Sequence, residues 1–147
     1  MALRVLIDTN ILLDYLVCRK PFDADARMIV KACSEKRIYG CIAAHSIPNM
    51  FYILRKSFSA KERRLLLQDM CELFDVEGID KAKLLSALKN TDFSDFEDCL
   101  QMECAEEFGA DFIVSRNVND YESSRIPCIE PGRLCELLNG GEFLNQS

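Results

Sequence analysis

The chain has 147 residues, 49% of them hydrophobic and 29% charged. That is enough for one domain with its own core, in the size range where folding buries roughly 68–70% of the unfolded surface, and too little for two independent cores. A formal net charge of −6 excludes a wide, uniformly basic nucleic-acid face, while leaving room for a local basic rim at Arg19-Lys20, Arg55-Lys56 or Lys61 with Arg63-Arg64.

No apolar run approaches the ~20 residues a membrane span needs, and Met1-Ala2-Leu3 leads directly into a strand pattern. A soluble cytosolic protein without a membrane partner is therefore expected, with one domain over residues 1–140 and a short tail over 141–147. The 8 cysteines contain no C-x-x-C pair, so they read as free thiols filling apolar positions in a reducing compartment, not as disulfides or a zinc site.

In chain order, Val5-Leu6-Ile7 is an aliphatic run suited to a strand covered on both faces, and Ile11, Leu12, Leu13, Tyr15 and Leu16 continue at helical spacing. The period changes at Asp8-Thr9-Asn10, which places this tripeptide at the carboxyl end of a strand. Arg19 to Phe22 is a loop. Asp23 or Asp25 then opens a helix through Cys33, and Arg37 to Ala43 is a second strand. Ser46 is expected to cap a helix that turns Ile47, Met50, Phe51, Ile53 and Leu54 inward, with Pro48 tolerated in its first turn.

Ser59 and Glu62 form a capping box that opens a helix through Leu73, after which Asp75 to Ile79 is a short strand and Lys81 to Leu88 a helix. Ser94 with Glu97 predicts a second capping box and a helix over Asp95 to Phe108, with Phe96, Cys99, Leu100, Cys104 and Phe108 on its buried side and Gly109 just past its end. Asp111 to Ser115 is the fourth strand, and Arg116 to Tyr121 a polar turn. Ile126 to Ile129 is a fifth strand, and Pro131 opens a last helix through Leu138. Helices and strands alternate throughout, so the expected fold is α/β: a mainly parallel central sheet with helices on both faces. The carboxyl ends of strands one and four then face each other, and Asp8, Asn10, Asn117 and Asp120 can meet there.

Each candidate has a bland alternative. Asp8 suits a helix cap as well as a site. Asp95 and Asp98 share one helix face, where Asp95 complements the helix dipole. Asp98 falls at the fringe of the apolar stripe, where an unpartnered carboxylate is costly. Arg55 and Lys56 end a helix, and Lys61, Arg63 and Arg64 form a solvated face. Tyr15, Phe51 and Tyr52 suit core or dimer surface better than base stacking, and His45 a loop or helix entry.

Three blocks together resemble the PIN domain: Ile7-Asp8-Thr9-Asn10-Ile11-Leu12-Leu13-Asp14, Asp95-Phe96-Glu97-Asp98-Cys99-Leu100, and Ile113-Val114-Ser115-Arg116-Asn117-Val118-Asn119-Asp120-Tyr121. The order and spacing of the blocks agree with the family from Ile7 to Tyr121, which makes the combination specific where each block alone is weak. The resemblance implies a three-layer α/β sandwich and a metal-dependent ribonuclease, commonly a VapC-like toxin with an antitoxin partner and often a homodimer. Clustered carboxylates suit Mg²⁺ or Mn²⁺, which bind phosphate and lower the pKa of a bound water without any protein nucleophile.

Carried over by position, the resemblance implies Asp8 and Asp98 as catalytic metal ligands, with Asn10 beside Asp8 and Asp95 outside the inner set. It leaves the fourth ligand at Asn117 or Asp120. Ser115 would hold Asp8 or a water, Arg116 would touch a phosphate of the RNA, and Asp14 is either a supporting group or a helix-surface charge. The family usually carries a glutamate in the helix after strand two, and this chain has Asn49 there. One negative charge fewer implies weaker metal binding or turnover, and motivates a second reading as a degenerate PIN domain serving as a binding or regulatory module. A haloacid-dehalogenase-like phosphatase with Asp8 as nucleophile is disfavoured, because Asn10 stands where such enzymes carry a second aspartate.

Overall fold

The central strand of the sheet is the one nearest the amino terminus. In a computed structural model that describes residues 2–140, β1 (Arg4–Ile7) lies between β2 (Tyr39–Ala43) and β4 (Phe112–Val114), with β3 (Asp75–Glu77) and β5 (Cys128–Ile129) at the two edges. All four pairings are parallel, giving the order β3-β2-β1-β4-β5. Parallel neighbours need crossover connections; from β1 to β4 these are α1 (Thr9–Leu16), α2 (Asp23–Ser34), α3 (Ser46–Ile53), α4 (Ala60–Leu73), α5 (Lys81–Lys89) and α6 (Phe96–Phe108), whereas a 3-10 turn lies between β4 and β5 and α7 (Pro131–Asn139) follows β5. The tail expected over 141–147 lies outside the described residues.

Strand alternation sorts the core into two layers. Val5 and Ile7 pack with Ile42, Val114 and the apolar stripes of α1, α2, α3, α4 and α7. Leu6, Cys41, Ala43 and Ile113 point the other way, onto α5 and α6. Val5, Leu6 and Ile7 are each 0% exposed, which is why this run carries no polar residue: each buried side chain contributes roughly 1.5–3 kcal/mol relative to leaving it in water. The three-layer α/β sandwich expected from the sequence is the observed fold. The 8 cysteines are free thiols, of which Cys33, Cys41, Cys99, Cys104 and Cys135 are buried.

Local signals explain most boundaries. Ser59 Oγ accepts the Glu62 N–H at 3.2 Å while Glu62 Oε1 accepts the Ser59 N–H at 2.9 Å, so the first capping box forms as read. Gly109 closes α6 with φ +74, the left-handed conformation that favours glycine. Ile53 and Phe96 depart from expectation. Leu54, itself 1% exposed, begins a tighter 3-10 turn, and Ile53 is left 36% exposed. Phe96 is the first residue of α6, and helical side chains lean toward the amino terminus, so its ring overhangs the helix end.

Gly40 sets how closely α2 and the end of α4 approach β2. A Cβ there would stand 2.8 Å from Cys33 Sγ and 3.0 Å from the Phe74 ring. Gly40→Ala should therefore destabilise the protein by about 1–3 kcal/mol in urea unfolding, and combined with Cys33→Ala it should cost less than the sum of the two. Strict additivity would show that Gly40 is not in steric contact with Cys33.

Candidate active site at the carboxyl ends of β1 and β4

The chain runs from β1 outward to β2 on one side and returns to β4 on the other, so the carboxyl ends of β1 and β4 form the switch point where open parallel sheets leave a crevice. Asp8 follows β1 directly. Its backbone is extended (φ −67, ψ 151), its N–H donates to the Val114 carbonyl at 3.0 Å, and its side chain caps α1, with Oδ1 accepting the Thr9 N–H at 2.7 Å. The other oxygen, Oδ2, accepts from Ser115 Oγ at 2.7 Å and from the Tyr121 hydroxyl at 3.1 Å. Cap and crevice carboxylate are thus the same group. Burial raises the Asp8 pKa despite these donors, and the charge of Asp120 adds to the rise.

Asp98 comes from the first turn of α6 and reaches the same hydroxyl, its Oδ1 lying 3.4 Å from Tyr121 Oη. One phenolic hydrogen serves two carboxylates. Burial first, then the charges of Asp95, Asp8 and Asp120, push the Asp98 carboxyl up to about 7. The second capping box does not form: the extended residue at the helix start is Asp95, whose Oδ1 accepts the Asp98 N–H at 2.9 Å, so the cap lies one residue later than Ser94. An ionised carboxylate is a stronger acceptor than a serine hydroxyl for free helix N–H groups.

Beneath the carboxylates is a small polar floor. Thr9 Oγ1 and Ser46 Oγ lie 2.8 Å apart, and Gln101 Nε2 donates to Ser46 at 3.1 Å and to Thr9 at 3.3 Å, tying α1, α3 and α6 together. Ser46 is therefore the first residue of α3 and not its cap; the cap position is His45, which makes no side-chain capping bond. A fully buried hydroxyl finds its partners across the site and not along its own helix.

Asp8, Asp98, Asn10, Asn49 and Asn117 line one cavity of about 220 Å³, together with His45, Glu97 and Gln101. Asn10 Nδ2 donates weakly to Ser115 Oγ at 3.4 Å, and the Asn117 N–H donates to the same oxygen at 3.0 Å. Asp120 is exposed on a 3-10 turn, Val118–Tyr121, outside the lining; it acts on Asp8 and Asp98 through its charge. A larger groove between α3 and α4, lined by residues such as Ile47, Phe51 and Leu67, contains neither carboxylate of the pair.

Arg116, expected to touch a phosphate, is engaged by a carboxylate of the protein itself. Its Nε and Nη2 donate to Asp14 Oδ2 and Oδ1 at 2.7 and 3.2 Å, and its guanidinium stacks 4.0 Å from the centre of the Phe22 ring. Asp14 is 0% exposed, so it is no helix-surface charge, and a buried carboxylate claims the two-pronged face that a phosphate would use. The sequence reading also missed Gln101, Glu97 and His45 as cavity residues, and Tyr121 as the hydroxyl between the two carboxylates. Tyr121 closes a turn that reads as polar, yet is 3% exposed and meets Phe93 edge-on at 6.4 Å; an aromatic at the end of a polar turn was the available signal.

Among the described residues no group of three or more His, Cys, Asp or Glu is arranged to hold a metal ion. Asn10 Oδ1, His45 Nδ1 and Gln101 Oε1 are buried without a hydrogen-bond partner, and all three belong to cavity residues. Each such group costs about 1–3 kcal/mol if nothing meets it. Two carboxylates flanked by unpartnered oxygen acceptors fit a hard divalent cation that retains most of its waters, as Mg²⁺ does, and not a cage that strips them.

A parallel α/β sheet with paired carboxylates at its switch point defines the class of protein. A family model for the PIN domain matches residues 4–119, and the chain belongs to that family. No curated protein sequence matches it. Among solved structures, it is similar to a chain of FitAB bound to an IR36 DNA fragment (TM-score 0.65, 13% identity, covering 86% of this chain and 94% of that one). A toxin-antitoxin complex from Klebsiella pneumoniae gives a TM-score of 0.65 at 18% identity, with 86% and 97% covered. DNA-bound VapBC from Salmonella typhimurium gives 0.63 at 15% identity, with 88% and 98% covered. These likenesses establish the fold.

The raised Asp98 pKa has a thermodynamic consequence. The folded state keeps the proton up to about 7 whereas the ordinary value is 3.8, so the stability from protonated Asp98 is fully present below about pH 4 and is lost as pH rises to about 7. In chelator, urea unfolding should show stability falling over that window, and Asp98→Asn should flatten the fall, leaving the share due to Asp8. An identical pH profile in the variant would mean that Asp98 is not the titrating group.

Proposed function

We propose that this PIN domain is a Mg²⁺- or Mn²⁺-dependent endoribonuclease and the toxin of a toxin–antitoxin pair, with Asp8 and Asp98 holding the cation. The observation that carries the reading is the pairing of these two carboxylates, brought from separate elements to one polar cavity and left without a positively charged partner. Family membership supports nuclease chemistry, and the likeness to a toxin-antitoxin complex supports the biological setting, with an antitoxin as protein partner; the reading places the action in the cytosol. No helix among the described residues is long and apolar enough to cross a membrane.

When bound, the cation supplies Lewis acidity: it lowers the pKa of a water and offsets charge developing at phosphorus. The chain's own residues supply position. Ser115 and Tyr121 fix Asp8 Oδ2, the Asp95 cap fixes the start of α6 that carries Asp98, and the unpartnered oxygens of Asn10 and Gln101 would accept hydrogens from the cation's waters. Of the two candidates for a fourth polar ligand, Asn117 borders the cavity, and Asp120 contributes negative potential from outside it. Arg116 serves the fold through Asp14. A homodimer belongs to the same reading, and the exposed leucines 84, 85 and 88 on α5 give it an apolar face.

The second reading, a degenerate PIN domain acting as a binding module, is favoured by Asn49, which brings a neutral amide into the cavity. The two separate in one assay. Purified chain with millimolar Mn²⁺ should cleave a pool of structured RNAs and stop in chelator, and Asp8→Asn and Asp98→Asn should each slow cleavage by at least about a hundredfold. Mn²⁺ binding without any cleavage would assign the chain to the second reading, and cleavage in chelator would refute the metal-dependent one.

A further inference from the structure

Glu97 borders the same cavity as Asp8, Asp98 and Asn49, and none of the residues lining it is a lysine or an arginine. Three acids further along α6 have basic partners: Arg125 pairs with Glu103 and Glu106, and Lys83 with Glu107. Glu97 has no such partner among the described residues. Its side chain is exposed where it borders the cavity, while Asp98, the next residue, reaches Tyr121 inside.

A second observation calls for a ligand at this place. Gln101, one helical turn after Glu97, is 2% exposed, and its Nε2 donates to Ser46 and Thr9. Its Oε1 stays unpartnered beside the cavity, as does Nδ1 of His45. Unpartnered acceptors beside uncompensated carboxylates are complementary to a cation and its waters.

We infer that Glu97 is a third cation-facing carboxylate of this site, supplying from α6 the negative charge that Asn49 cannot supply from α3. The inference rests on the metal-dependent reading above. It changes the meaning of Asn49, because the cavity then holds as many carboxylates as it would with a glutamate on α3 and a neutral residue at position 97.

The test is Mn²⁺ affinity without RNA, read from the electron paramagnetic resonance signal of the free aquo ion. Glu97→Gln should weaken Mn²⁺ binding by about tenfold, with its melting temperature in chelator unchanged. Asn49→Glu added to Glu97→Gln should recover most of that loss, and Glu136→Gln, which removes the same charge from α7 outside the cavity, should leave affinity unaltered. Unchanged affinity in Glu97→Gln, with weakened binding in Asp98→Asn, would overturn the role of Glu97 and leave the metal site standing. A wild-type chain that binds no Mn²⁺ would overturn both.

Discussion

A carboxylate buried at the end of the central strand must find hydrogen-bond donors, and the arrangement around Asp8 follows from that need. Its oxygens take the first N–H of α1, the hydroxyl that ends β4 and the hydroxyl of Tyr121. These three donors belong to segments far apart in sequence. Satisfying Asp8 therefore fixes the angle at which α1 leaves the sheet, the register in which β4 lies beside β1, and the fold of the turn after β4.

Two buried aspartates near each other in sequence meet opposite fates. Asp14 is neutralised by the forked guanidinium of Arg116, whose stacking on Phe22 leaves it little freedom. Asp8 receives only neutral donors and faces Asp98 across one hydroxyl. Charge that a fold neutralises holds the fold together; charge that it concentrates and leaves uncompensated raises its own pKa and creates affinity for a cation. By this measure Asp14 and Arg116 belong to the architecture, whereas Asp8 and Asp98 are carboxylates that the fold leaves without a cationic partner.

The asymmetric sheet makes this division possible. Helices α1, α2, α3, α4 and α7 cover one face and α5 and α6 the other, so the amino-terminal ends of α1, α3 and α6 converge on the crevice from both sides. Helix amino termini favour negative groups, which offsets part of the cost of gathering carboxylates there. The floor of Thr9, Ser46 and Gln101 joins these three helices below the carboxylates. It is polar without being charged, so it positions the acids without neutralising them.

The α/β layering and the helix and strand order were legible in hydrophobic period alone, because a strand buried on both faces tolerates no polar residue and an amphipathic helix must repeat every three to four positions. Asp8 and Asp98 stood out for the same reason, as carboxylates where the apolar pattern breaks. What the local pattern could not supply was partnership. Whether Ser94 or Asp95 caps α6, whether Ser46 bonds along its helix or across to Thr9, and whether Arg116 faces phosphate or Asp14 depend on which groups the fold brings within about 3 Å. Tyr121 shows the limit most clearly: its residues read as a solvated turn, and only closure of β4 against β1 carries its hydroxyl between two carboxylates. Sequence determined which residues are polar and where the chain turns; tertiary structure decided which polar groups meet, since hydrogen bonds and charge act over a few ångströms of space and not along the chain.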